Sequence, residues 1–211
     1  VCGRTMAEHG AEVLQNTAAH MAHAMALIID ANRGKRSAYL DLRKDAGVGR
    51  LKGLVREADI FVQGYRPGTL ASRGLGPEQL AALRPGLVYV SLSAFGHEGP
   101  WSERRGFDSI VQTASGIGHA GGVAAGKDGM QHLPCQALDH GSGYLMALGA
   151  MMARLKQAEE GGSWLVRVSL ARTGRWLQSL GKQDALDAPE MTAEGIADLI
   201  EDYGQTAFGH M

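Results

Sequence analysis

The run Leu87-Val-Tyr-Val-Ser-Leu92 constrains this chain most. It is short, rich in β-forming residues, almost wholly apolar, and set off by the Pro85-Gly86 break. A strand with one wetted face alternates apolar and polar side chains. This one does not, so it belongs in a sheet covered on both faces. Sheets of that kind are parallel and need helical crossovers.

The chain supplies both. Ile60 to Gln63 and Trp164 to Ser169 read as further strands, Ser37 to Leu42 alternates like one, and Glu12 to Gln15 is a short fourth. Gly3 to His9 reads as a short helix. Asp45 to Glu57 has helical spacing, with Val48, Leu51, Leu54 and Val55 on one face. Pro77 opens a helix at its favoured first-turn position, and that helix stops before Pro85. Phe107 to Gly116 and Leu170 to Leu180 are helical. Leu138 to Glu159 is a long helix whose apolar side is expected to carry Tyr144, Leu145, Leu148, Met151, Met152 and Leu155. The methionines at this spacing read as core before they read as an adaptable acyl pocket. Asn16 to Asp30 is unpatterned and reads as a loop or loose helix, Gly118 to Gly129 as a Gly- and Ala-rich loop, and the tail from Gln183 as acidic and weakly patterned. The alternation predicts an α/β fold, a parallel sheet flanked by helices.

The 45% hydrophobic content of 211 residues can fill the core of one ordinary domain. Lys plus Arg number 21 against 22 Asp plus Glu, a net charge of -1, which argues against a dedicated nucleic-acid or anionic-membrane surface. Cys2 and Cys135 make no disulfide framework or metal set, so a reducing, cytoplasmic setting is the expectation and no metal is implied. No apolar run reaches membrane-spanning length.

Three tempting patterns fail on context. Gly116-Ile-Gly-His-Ala-Gly121 spells a dinucleotide fingerprint, but a helical pattern precedes it and a loop is expected after it, not strand then helix. Gly121 to Lys127 spells most of a phosphate loop, but Asp128 stands where Ser or Thr is required. Asp139, His140 and Ser142 are too close in sequence to be read as a triad, which geometry assembles.

One ordered set of motifs does carry a resemblance. Tyr65-Arg66-Pro67-Gly68 makes an aromatic-Arg-Pro-Gly turn, followed by Gly74-Leu-Gly76 and a helix. The strand after it ends in Ser93-Ala-Phe95-Gly96, and Gly99-Pro100 and Arg104-Arg-Gly-Phe-Asp108 come next. In this order they resemble the family III CoA-transferases, the group of formyl-CoA transferase, carnitine CoA-transferase and α-methylacyl-CoA racemase. At lower density the resemblance runs from about Cys2 to Gly181. It implies a Rossmann-like fold, with residues 1–181 as a large domain that lacks the family's first strand and 182–211 as a linker or the start of a further region. Both ends look unfinished against that family, so the chain is expected to be a fragment or half-length member. Full-length relatives form interlocked homodimers.

The resemblance also assigns residues. It makes Asp139 the catalytic nucleophile, at the start of a long helix; on residues alone, Asp there reads as a helix cap first. A carboxylate can attack a thioester, and a helix N-terminus is expected to keep it ionised. The basic run Asn32-Arg33-Gly34-Lys35-Arg36-Ser37 matches cations near the CoA entrance; its alternative is a solvated charged turn. Tyr65 falls where the family stacks an aromatic beside the adenine, and Arg66 sits in the turn after it. The usual Asp-Arg beyond that turn is Ala71-Ser72 here, with Arg73 one place later, and Gly64 replaces Asn. Phe95 and Gly96 shape the loop beyond a strand end, where α/β folds place ligands.

The implied reaction is transfer of CoA from an acyl-CoA thioester to a free carboxylic acid through aspartyl-anhydride and aspartyl-CoA intermediates. CoA is part of the substrate, and no separate cofactor is implied. The first alternative is an acyl-CoA racemase. It needs a base on each face of the α-carbon, and Phe107 stands where racemases carry His, although His119 and His140 remain as relocated bases. The second is a degenerate CoA-ester-binding or partner subunit.

Overall fold

The computed structural model describes residues 1–21 and 25–182, with short pieces at 192, 194–199, 204–206 and 209–210. Helices and strands alternate as α1 (Cys2–Glu8), β1 (Val13–Thr17), α2 (Met25–Ala31), β2 (Lys35–Tyr39), α3 (Asp45–Val55), β3 (Ile60–Gln63) and α4 (Pro77–Leu83). They continue as β4 (Val88–Ser93), α5 (Asp108–Ala114), α6 (Ile117–Ala124), α7 (Ala137–Glu160), β5 (Trp164–Ser169) and α8 (Leu170–Ser179). These elements lie in one compact unit, Val1–Ser179. A second unit, Leu180–Met211, holds a 3-10 turn at Ala197–Leu199 and a short antiparallel pair, β6 (Gln205–Thr206) with β7 (Gly209–His210). Most of the acidic tail read from the sequence lies outside the described residues.

The pairing is parallel throughout the first unit, in two sheets: β1 with β2, and β3-β4-β5 with β4 in the centre. β4 is covered on both sides, as its apolar run demands. Val88 and Val90 point into a core with Cys2, Met6, Met146, Ala147 and Ala150. Tyr89 points the other way, into a core with Leu51, Val55, Leu75, Leu80 and Leu87. Successive side chains leave a strand on opposite faces, so one strand serves two cores. Tyr89 is buried with its hydroxyl donating to the Leu75 carbonyl at 3.1 Å. Burial, and then the Glu78 carboxylate, push its pKa up to about 12. The phenol therefore stays a neutral donor, and Tyr89→Phe is expected to cost about 1 kcal/mol by urea unfolding. A loss indistinguishable from zero would mean the buried bond adds nothing.

α7 departs from the sequence reading. Its buried face is Leu138, Ser142, Gly143, Met146, Ala147, Ala150 and Ala153. Tyr144, Leu148, Met152 and Leu155, expected on the apolar side, are exposed, Leu155 by 69%. Small residues win because they let the helix lie close to its neighbours: a Cβ on Gly149 would sit 2.7 Å from Val166 Cγ1. Asn16 to Asp30, read as a loop or loose helix, holds the helix α2 from Met25 on, but its first two residues finish the strand β1. Gly118 to Gly129, read as a loop, is mostly α6, where Gly121 and Gly122 face backbone rather than confer slack and Gly118 faces the His132 side chain. A helix therefore follows Gly116, but no strand precedes it, and the dinucleotide fingerprint still fails.

Candidate active site

β3, β4 and β5 run parallel, so their carboxyl ends share one edge. Three polar residues organise that edge beneath the loop after β4. Gln63 donates from Nε2 to Ser91 Oγ at 2.5 Å, and its Oε1 accepts the Tyr65 N–H at 2.7 Å. Ser91 Oγ meets His97 Nε2 at 2.8 Å. Ser93 Oγ accepts the Gly96 N–H at 3.1 Å, which pins the turn. Gly96 has φ of 106°, a conformation that L side chains rarely adopt. Phe95 packs edge-on against Trp101, with ring centroids 5.1 Å apart.

Asp139 sits in the first turn of α7. It is not the helix cap, a position held by Gln136. Its neighbour Leu138 is fully buried with Val111, Ile117 and Leu170, which locks the helix end onto α5, α6 and α8. One turn on, Ser142 and Thr173 exchange a buried hydroxyl bond of 2.7 Å. The Asp139 N–H donates to Asp108 Oδ2 at 2.9 Å. Among the described residues no ion pair engages the Asp139 carboxyl.

Its pKa is raised, first by desolvation where α5 and α8 crowd the helix end and then by the Asp108 carboxylate. This corrects the expectation that the helix N-terminus would hold the group more acidic. The protonated form is favoured in the folded state, so the contribution to stability is present below the unfolded pKa and is lost as pH rises through the folded pKa. Asp139→Asn is therefore expected to raise the Tm near neutral pH, with the gain vanishing towards about pH 3. A lower Tm at neutral pH would reverse this account.

The other residues singled out by sequence do not form one cluster. Lys35 and Arg36 are consecutive on β2 and leave it on opposite faces. Lys35 turns inward, donating to Gln15 Oε1 at 3.0 Å, and packs against Gly3. Arg36 pairs with Glu12 at 2.6 Å on the surface. Arg33 lies in the turn before β2. Arg73 donates to the Leu42 carbonyl at 2.6 Å, Arg66 is exposed, and the Tyr65 hydroxyl lies 3.7 Å from Met21 Sδ. Val1 connects two of these regions: it packs on Gly143, one turn past Asp139, while Gly3 of the same helix touches Lys35.

Beside Gly96, sequence reasoning missed a cleft of about 820 Å3 that includes His97, Glu98, Arg167, Arg172, Arg175 and Trp176, with Glu98 paired to Arg167 at 3.3 Å. Burial and then Arg167 lower the His97 pKa, which keeps the ring neutral. The available signal was the spacing Arg172, Arg175, Trp176, which puts all three on one face of a helix.

Parallel strands flanked by helices, with an aspartate in the first turn of α7, define an α/β protein. The sequence pattern described as CoA-transferase family III matches residues 1–199, and the chain belongs to that family. It is 32% identical to the probable fatty acyl-CoA transferase of Mycobacterium tuberculosis over 148 residues, 70% of this chain and 37% of that one. It is 35% identical to the succinyl-CoA:glutarate CoA-transferase of Mus musculus over 137 residues, 65% of this chain and 31% of that one. The crystal structure of the mycobacterial protein in its orthorhombic form superposes with a TM-score of 0.76 at 30% identity, covering 85% of this chain and 51% of that one. A CAIB/BAIF family protein from Brucella suis gives 0.74 at 26%, covering 86% and 54%. The chain thus spans about a third of the curated relatives and half of the solved chains.

Proposed function

We propose that the protein moves CoA from an acyl-CoA thioester to a free carboxylic acid, with Asp139 as nucleophile. The observation that carries this reading is a carboxyl that no ion pair engages among the described residues, in the first turn of a 24-residue helix, raised in pKa and so more basic than an ordinary aspartate. An Asp139 oxygen attacks the thioester carbon, the C–S bond breaks, and CoA thiolate leaves a mixed anhydride. The thiolate then attacks the aspartyl carbonyl and releases the donor acid. The acceptor carboxylate repeats these steps in reverse and takes the CoA.

CoA enters only as substrate, and no metal or redox group is invoked. Arg33, Lys35, Arg36, Tyr65, Arg66 and Arg73 are assigned to its nucleotide end on the family resemblance. The whole protein is read as a cytoplasmic homodimer. The names of the relatives supply the substrate class: acyl-CoA donors and carboxylic acid acceptors. The test is to incubate the chain with a panel of acyl-CoAs, quench with hydroxylamine and map the peptides. An aspartyl hydroxamate at Asp139 is expected. A clean Asp139 with CoA esters still bound would sink the transfer reading in favour of a CoA-ester-binding role.

A further inference from the structure

Asp108 is the only carboxylate among the described residues that is wholly buried, at 0% exposure, and no cation pairs with it there. Burying a carboxylate without a counter-charge is costly unless hydrogen bonds satisfy it. Both oxygens are in fact occupied. Oδ1 accepts from Gln112 Nε2, and Oδ2 accepts the Asp139 N–H at 2.9 Å. Gln112 is itself fixed, because its Oε1 accepts the Leu133 N–H at 2.8 Å. That bond sets which end of the amide faces Asp108. The result is a directed relay: Leu133 orients Gln112, Gln112 orients Asp108, and Asp108 holds the backbone of Asp139.

A neutral cap would satisfy the helix end as well. Asn at 108 could still accept from the Asp139 N–H, but its own NH2 would then face the NH2 of Gln112. Only a group with two acceptor oxygens fits both partners. We propose that Asp108 is a positioning residue for Asp139, its buried carboxylate anchoring the first turn of α7 so that the Asp139 carboxyl is held at the helix end. Resting on the transfer reading above, this adds a residue that acts through Asp139 without touching substrate. The Asp108 charge also keeps Asp139 more basic. The side chain of His140, on α7 itself, pulls the other way. α8 meets this turn through the uncharged Thr173.

The test uses the 211-residue chain in three forms, native, Asp108→Asn and Asp108→Ala. Carboxyl-carbon NMR follows the Asp139 titration, with Asp139→Asn to assign the resonance, and amide exchange follows the Asp139 N–H. The native amide is expected to be protected, and Asp108→Ala to speed its exchange by about tenfold or more. Asp108→Asn is expected to lower the Asp139 pKa and slow hydroxylamine-trapped adduct formation by about 10²-fold, the effect of slight misplacement. A purely structural Asp108 would lower the Tm and leave the titration unmoved, which would overturn the proposal. An unprotected native amide would overturn it with no variant needed. If the native chain forms no adduct, the transfer reading falls alone, because titration and exchange still decide whether Asp108 holds Asp139.

Discussion

Asp139→Ala is expected to carry no acyl adduct and to transfer CoA at least about 10³-fold more slowly than the native chain. Covalent catalysis divides one difficult exchange between two weak nucleophiles into steps that each form or break an activated acyl bond. Removing the attacking oxygen removes every one of those steps. Substrate binding should survive, since the cations and the Phe95–Gly96 loop are untouched, so the loss should appear in kcat and leave KM nearly unchanged. Asp139→Asn keeps the shape and should be equally inactive, while the Tm moves up at neutral pH. Stability and activity changing in opposite directions would mark a group held under electrostatic strain for its chemistry. Chromatography of CoA esters reads the rate, and peptide mass spectrometry reads the adduct. An adduct that persists in Asp139→Ala would place the nucleophile elsewhere.

The fold was legible wherever one side of an element reports its surroundings directly. The apolar run of β4 announced two covered faces, and Val88, Val90 and Tyr89 occupy them. Pro77 marked a helix start correctly because its fixed φ suits the first turn. In α7 hydrophobicity is not the measure of burial. There close packing selects Gly, Ala and Ser beside Leu138 and Met146, and Tyr144, Leu148, Met152 and Leu155 are left outside. The site was legible only in part for a related reason. Asp139 lies in a recognisable motif, but the partner that orients it is 31 residues away in sequence, and only the folded chain joins them. Spacing along the chain does not report that Lys35 and Arg36, neighbours on β2, leave the strand on opposite faces. His97 was passed over because its Ser91 partner reaches it only across the strand-end loop.

Gly122→Ala should destabilise the chain by about 3 kcal/mol or more, although Ala is the better helix former. Two effects oppose each other at this helical position. Propensity favours Ala by up to about 1 kcal/mol. Against it, a Cβ at 122 would lie 1.9 Å from the carbonyl oxygen of Gly129, and one at Gly121 would lie 2.2 Å from that of Gln131. Both obstacles are backbone and cannot rotate away, so the segment at 129–131 must move. That segment is tied down by the Gln131 N–H to Gly118 carbonyl bond of 2.8 Å, and it leads directly to Leu133, the first member of the relay to Asp139. The damage should therefore reach the site: adduct formation at Asp139 should fall together with the urea midpoint. Gly49→Ala on α3 is the control, since nothing lies within 4 Å of a Cβ there and propensity acts alone, predicting a gain. If Gly122→Ala behaved like Gly49→Ala, α6 would not touch the 129–131 segment in solution. The glycines would then be slack after all, as the sequence alone suggested.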